Sequence, residues 1–178
     1  MPEKILIIDD DVETLRLVGM MLQKQGYEIV VASSGLQGIE SAHDIRPDLI
    51  VLDVMMPDMN GYEVCRQIKA DGENGNIPVV MITSLQNRNE RTKGIEAGAE
   101  DFISKPIDQG EVLARIRMLL RMNELHERLG RAYASITNLA TFGAQALKSF
   151  DPQEFELMPQ VDMLVGQIIQ QSGETIDR

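Results

Sequence analysis

The sequence predicts an α/β protein built on a doubly wound, five-stranded parallel sheet of strand order 2-1-3-4-5. Short β-type runs alternate with helical patterns five times before residue 121, which implies right-handed crossovers and helices on both faces. Three of those runs are continuously apolar, as strands covered on both faces are. Several runs also end in a carboxylate, a hydroxyl or an amine. In such sheets functional groups gather at the carboxyl ends of the strands, near the switch in strand order.

The elements follow in order. "KILIID" (4–9) reads as a strand. Residues 12–25 carry Val12, Leu15, Val18, Met21 and Leu22 at helical spacing, and Gly26 stops that helix. "YEIVVA" (27–32) is the second strand and 35–44 the second helix. "DLIVLD" (48–53) is the third strand. The loop "VMMPDMNG" has turn chemistry and leads into a helix near 61–70. "PVVMIT" (78–83) is the fourth strand, followed by a weakly patterned helix over 88–97. "DFISK" (101–105) is the fifth strand, and a helix opens near Asp108.

From about residue 118 the pattern changes. Met118, Met122, Leu125, Leu129, Ala132, Ile136, Leu139, Gly143, Ala146 and Phe150 recur at alternating spacings of four and three, a heptad seam. Tyr133, Ala140 and Leu147 widen it toward a bundle-like face. Asp151, Pro152 and Glu154 then restart a helix as N-cap, first position and third position. Domains are therefore expected at 1–121 and 122–178. The second would hold a heptad helix to about 150 and a further helical segment. A homodimer through the heptad helix is expected. The alternative is that the seam docks back on its own chain.

Composition narrows the function classes. No apolar run approaches the roughly 20 residues of a membrane span, and the N-terminus lacks a signal-peptide pattern. The single Cys65 excludes internal disulfides and fits a reducing, cytoplasmic compartment. Net charge is −11, of which −4 falls in residues 122–178, and no basic stripe is present. Direct nucleic-acid binding is therefore not expected.

Asp9 and Asp10 end the first strand, Asp53 the third, Thr83 the fourth and Lys105 the fifth. Strand order 2-1-3-4-5 would bring all five to one edge. Three close carboxylates need a counter-cation, and hard oxygen ligands suit Mg²⁺. A carboxylate beside Mg²⁺, an ammonium and a hydroxyl is suited to phosphoryl transfer, because the cations neutralise charge developing on the transferring oxygens. Asp53 is the candidate nucleophile.

"IIDDD", "LDVMMPDMNGYEVC", "MITS" and "DFISKP" together resemble the signature of response-regulator receiver domains, over residues 4 to about 121. The resemblance implies a flavodoxin-like fold. It implies that Asp53 accepts a phosphoryl group from a histidine kinase or phosphotransfer protein. Asp9, Asp10, Asp53 and the backbone carbonyl of Met55 would hold Mg²⁺, and Thr83 and Lys105 would contact the phosphoryl group. It further implies a cis Lys105–Pro106 bond, a switch formed by Thr83 and Phe102, and a phosphoryl lifetime tuned at Met55 and Leu85. Both tuning residues are apolar, so slow dephosphorylation is expected. No catalytic motif follows residue 121. A regulatory front of a larger enzyme, such as a diguanylate cyclase, phosphodiesterase or phosphatase, is the alternative reading, with the output domain outside the chain.

Plainer roles suit the remaining candidates. Asp11, a third acid at a helix start, reads as a cap rather than a metal ligand. Ser84 reads as a bystander, Cys65 as packing, and His126 in "ELHERL" as part of a solvated face.

Overall fold

The computed structural model describes residues 2–72, 74–84 and 88–148. Leu85 and the helical segment expected after residue 150 lie outside them. Five strands, β1 (Lys4–Ile8), β2 (Glu28–Ala32), β3 (Leu49–Asp53), β4 (Val79–Thr83) and β5 (Asp101–Ser104), form one parallel sheet in the order β2-β1-β3-β4-β5. The intervening helices are α1 (Val12–Gln23), α2 (Gly35–Ile45), α3 (Gly61–Ala70), α4 (Arg88–Glu96) and α5 (Gln109–Lys148).

Alternation along the strands divides the core in two. Leu6, Ile8, Ile50, Leu52, Val79 and Met81 point to one face and pack with Ala42 of α2 and Val64, Cys65 and Ile68 of α3. Ile5, Ile7, Leu49, Val51, Val80 and Ile82 point to the other and pack with Leu15, Val18 and Leu22 of α1 and Val112, Leu113 and Ile116 of α5. Side chains are therefore needed on both faces of β1, β3 and β4, which is why those strands read as unbroken apolar runs. Each fully buried Ile, Leu or Val contributes roughly 1.5–3 kcal/mol from removal of apolar surface from water.

Local chemistry sets the helix ends. Asp11, Ser34 and Asn60 are N-caps, accepting from the backbone N–H of Glu13, Gln37 and Glu63. Asp11 is thus a cap, as expected. Gly26 follows α1 in a left-handed conformation (φ 94°) that glycine adopts without steric cost. Val12 is 70% exposed. It occupies the first turn beside the capping Asp11, and the buried stripe of α1 instead consists of Thr14, Leu15, Val18, Gly19 and Leu22.

The chain divides into two compact units, Met1–Arg128 and Leu129–Arg178. The described part of the second is the continuation of α5 to Lys148. The seam residues Met118, Met122, Leu125, Leu129, Ile136 and Leu139, with Tyr133 and Phe142, are 49–67% exposed. No helix among the described residues is long and apolar enough to cross a membrane.

Candidate functional site

β1 and β3 are adjacent and in register, with Ile8 opposite Leu52, so the residues that follow them emerge side by side. Asp9 and Asp53 are buried to 2% exposure, and Asp10 is exposed. Oxygens of the three carboxylates all lie within 4.8 Å of one another. Lys105, one residue past β5, places Nζ 2.6 Å from Asp53 Oδ1 and 3.7 Å from Asp9 Oδ2. The N–H of Met55 donates to Asp53 Oδ2 at 2.7 Å, and the N–H of Asp11 donates to Asp9 Oδ1 at 2.8 Å.

The electrostatics follow from that crowding. Burial, opposed by the Asp11 N–H and reinforced by the charges of Asp53 and Asp10, pushes the Asp9 carboxyl up to about 6. Burial works to lower the Lys105 ammonium, but its hydrogen bond and ion pair with Asp53, and the charge of Asp9, leave it above its ordinary value. Asp9 Oδ2 is buried without a hydrogen-bond partner. A buried carboxylate oxygen with no hydrogen bond, near two further carboxylates, belongs to a donor set suited to a small hard cation.

The response regulator receiver domain matches residues 5–117 of this sequence. The chain belongs to that family. Receiver domains are the phosphorylated signal-transduction modules of two-component systems. The response regulator PleD of Caulobacter vibrioides is 38% identical over 148 residues, covering 83% of this chain and 33% of PleD. The transcriptional regulator RpaA of Synechocystis is 40% identical over 121 residues, covering 68% of this chain and 50% of RpaA. The chain thus spans between a third and about half of the length of these curated relatives. Among solved structures, a CheY-like receiver domain protein of Methanospirillum hungatei superposes with a TM-score of 0.66 at 26% identity, over 71% of this chain and 99% of the other.

Against the expectations for a receiver, the fold brings Asp9, Asp10, Asp53 and Lys105 together directly. Thr83 is buried at the end of β4, one residue past Ile82, which pairs with Asp53. Its carbonyl accepts the N–H of Lys105 at 2.9 Å, tying two strand ends together. Lys105–Pro106 is cis. Phe102 lies on β5 opposite Met81, 9% exposed, in the same core cluster as Ala97 and Ala99. The Met55 amide faces Asp53, while its side chain is 61% exposed. Cys65 is fully buried, and burial pushes its thiol up to about 11, so it packs rather than reacts. His126 is exposed on α5.

Three supporting residues were not legible in advance. Gly61 opens α3 against the strand carrying Asp53, and a Cβ there would strike the Asp53 carbonyl and come within 2.8 Å of the Val54 Cα. The pair Asn60-Gly61 signals a turn, but not that the turn must touch Asp53. Asp58 Oδ2 accepts the N–H of Gly35 at 2.9 Å and so fastens the β3–α3 loop to the start of α2. Burial opposes ionisation of Asp58, yet backbone N–H donors at Met59, Leu36 and Gly35 hold its carboxyl below the usual range. Tyr62 Oη donates to Glu90 Oε2 at 2.9 Å, linking α3 to α4.

Proposed function

We propose that this chain is a two-component response regulator in which Asp53 accepts a phosphoryl group from a histidine kinase or phosphotransfer protein. The observation that supports it most strongly is the 2.6 Å contact of Lys105 with a buried Asp53 whose other oxygen is held by the Met55 N–H. That carboxylate is fixed in direction, and its charge is balanced by a cation placed to meet a phosphoryl oxygen. A carboxylate oxygen of Asp53 forms a bond to phosphorus as the bond to the donor imidazole nitrogen breaks, and the electron pair leaves with that nitrogen.

Asp9, Asp10, Asp53 and the Met55 carbonyl would hold Mg²⁺, which supplies a Lewis acid that offsets the charge of the phosphoryl oxygens. Lys105, whose Nζ lies 2.6 Å from Asp53 Oδ1, would stabilise the same charge. Thr83 hydrogen-bonds the transferred group, and Phe102 reports its arrival to the α4–β5–α5 face. Asp11 stays a cap, because its carboxylate is already engaged by Glu13 N–H and Thr14 Oγ1.

The exposed seam of α5 pairs with a second copy of the chain, and phosphorylation alters that pairing. The protein acts in the cytoplasm and does not contact nucleic acid directly, in keeping with its net charge of −11. It catalyses no reaction beyond its own phosphorylation and dephosphorylation. A second reading is that it is the regulatory front of a larger protein whose output domain lies elsewhere. The one-third coverage of PleD favours weighing it.

Incubation with labelled acetyl phosphate in magnesium buffer tests the proposal. Label is expected on the parent protein and not on Asp53→Ala. Equal labelling of the two removes Asp53 as acceptor.

A further inference from the structure

Gly94 sits inside α4, where glycine costs backbone entropy that alanine would not. The space it leaves is filled. A Cβ on Gly94 would lie 2.5 Å from both Cε1 and Cζ of Phe102 and 3.1 Å from Met81 Sδ. Met81 and Phe102 are register partners on β4 and β5, so their side chains rise from the same face of the sheet toward the helix. Arg91, one turn before Gly94, sets its guanidinium carbon 5.5 Å from the centroid of the Phe102 ring. The ring therefore lies between β4, the bare backbone of Gly94 and a cationic cover.

The helix is held at both ends. Tyr62 Oη donates to Glu90 Oε2 at 2.9 Å and to the Glu90 carbonyl at 3.2 Å. The N–H of Ala99 donates to the Gly94 carbonyl at 3.0 Å. A methyl group at position 94 thus meets a fastened helix on one side and the outer edge of an aromatic ring on two free torsions on the other. The ring is what yields.

We infer that Gly94 is a positioning residue for phosphorylation: its missing side chain is the seat that lets the Phe102 ring occupy the inward position. This rests on the reading of Phe102 as the switch. It adds that the switch is set by α4 as well as by Thr83, and that Arg91 closes the seat.

The test uses the full chain labelled with 4-fluorophenylalanine, the Phe102 signal being assigned by its loss in Phe102→Leu. Gly94→Ala is expected to stay folded with a thermal midpoint no higher than the parent's, since the helix propensity gained by alanine is offset by the burial the Phe102 ring loses. It is expected to move the Phe102 fluorine signal to a solvent-exposed position without any metal present. It should also weaken beryllofluoride binding in magnesium buffer by about tenfold, the size of a typical overpacking penalty. In a Phe102→Ala background, where the seat is empty, Gly94→Ala should leave beryllofluoride affinity unchanged. An unmoved fluorine signal, or an equal loss of affinity in the Phe102→Ala background, overturns the inference. If Gly94→Ala does not fold, recovery of folding by Phe102→Ala supports the inference and failure to recover overturns it. If Phe102→Ala alone binds beryllofluoride as the parent does, the switch reading itself falls. If Phe102→Ala weakens binding but Gly94→Ala leaves the ring in place, only the role of Gly94 falls.

Discussion

The opening turns of α5 and its later stretch carry apolar residues at similar helical spacing, yet their burial is opposite. Val112, Leu113, Ile116, Leu119 and Leu120 are at most 9% exposed against the sheet. Met122, Leu125, Leu129, Ile136 and Leu139 are 49–62% exposed. Periodicity specifies that a helix has an apolar face; it does not specify what covers it. In the first stretch the cover is β1, β3, β4 and β5 of the same chain. In the second, no cover from the same chain is seen among the described residues, and the proposed second copy would supply one.

The sharpest way to separate the two stretches is to place a charge in each. Ile116→Asp puts a carboxylate into a fully buried position and is expected to abolish cooperative unfolding of the receiver, since an uncompensated buried charge consumes most of a domain's roughly 5–15 kcal/mol of stability. Leu129→Asp with Ile136→Asp is expected to leave the receiver's denaturant midpoint in place and to convert dimers to monomers in light scattering. Dimers that survive the double substitution would move the interface onto the receiver.

Truncation gives a smaller version of the same contrast. Ile116→Ala should cost about 2–5 kcal/mol in urea unfolding, the range for emptying a packed aliphatic site. Ile136→Ala should change monomer stability by less than about 0.5 kcal/mol, as for an exposed position, while weakening association.

A pH series separates the regions by chemistry. The folded protein holds the Asp9 proton more tightly than the unfolded chain, since its carboxyl is raised to about 6 from 3.8. In EDTA this group therefore opposes folding above pH 6. The penalty is relieved as pH falls through 6 and is gone by about pH 4. The thermal midpoint of the metal-free receiver is expected to rise between pH 7 and 5. The stabilisation conferred by added Mg²⁺ should shrink over the same interval, because proton and metal compete for one carboxylate.

The smallest expected effect concerns two side chains of nearly equal exposure, Met55 at 61% and Ile136 at 62%. Met55→Asn should shorten the phosphorylated lifetime severalfold and leave oligomeric state alone, on the expectation that the apolar side chain shields Asp53 from water. Ile136→Asp should do the reverse. An unchanged decay rate for Met55→Asn would remove the shielding role.

Much of the receiver was readable in one dimension. The strand expected over 48–53 is Leu49–Asp53, the helix expected near 61–70 is Gly61–Ala70, and the acids fall where the strands end. Those features depend on local alternation and on residues within a few positions of one another. Val12 shares the helical spacing of the buried stripe yet is exposed, because spacing alone does not separate a core position from the first turn of a capped helix. Asp58 and Tyr62 were missed because their partners, Gly35 and Glu90, are 23 and 28 residues away.

The order of residues was enough to establish five parallel strands, two apolar faces per central strand, and a set of acids, a hydroxyl and an amine at their ends. Those follow from periodicity and from the rule that parallel strands release their carboxyl ends on one side. Distances came from packing alone. That Lys105 reaches Asp53 rather than solvent, that Gly61 must be bare beneath the Asp53 carbonyl, and that Gly94 leaves room for Phe102 depend on how closely separate elements approach, and close approach is a property of the assembled core.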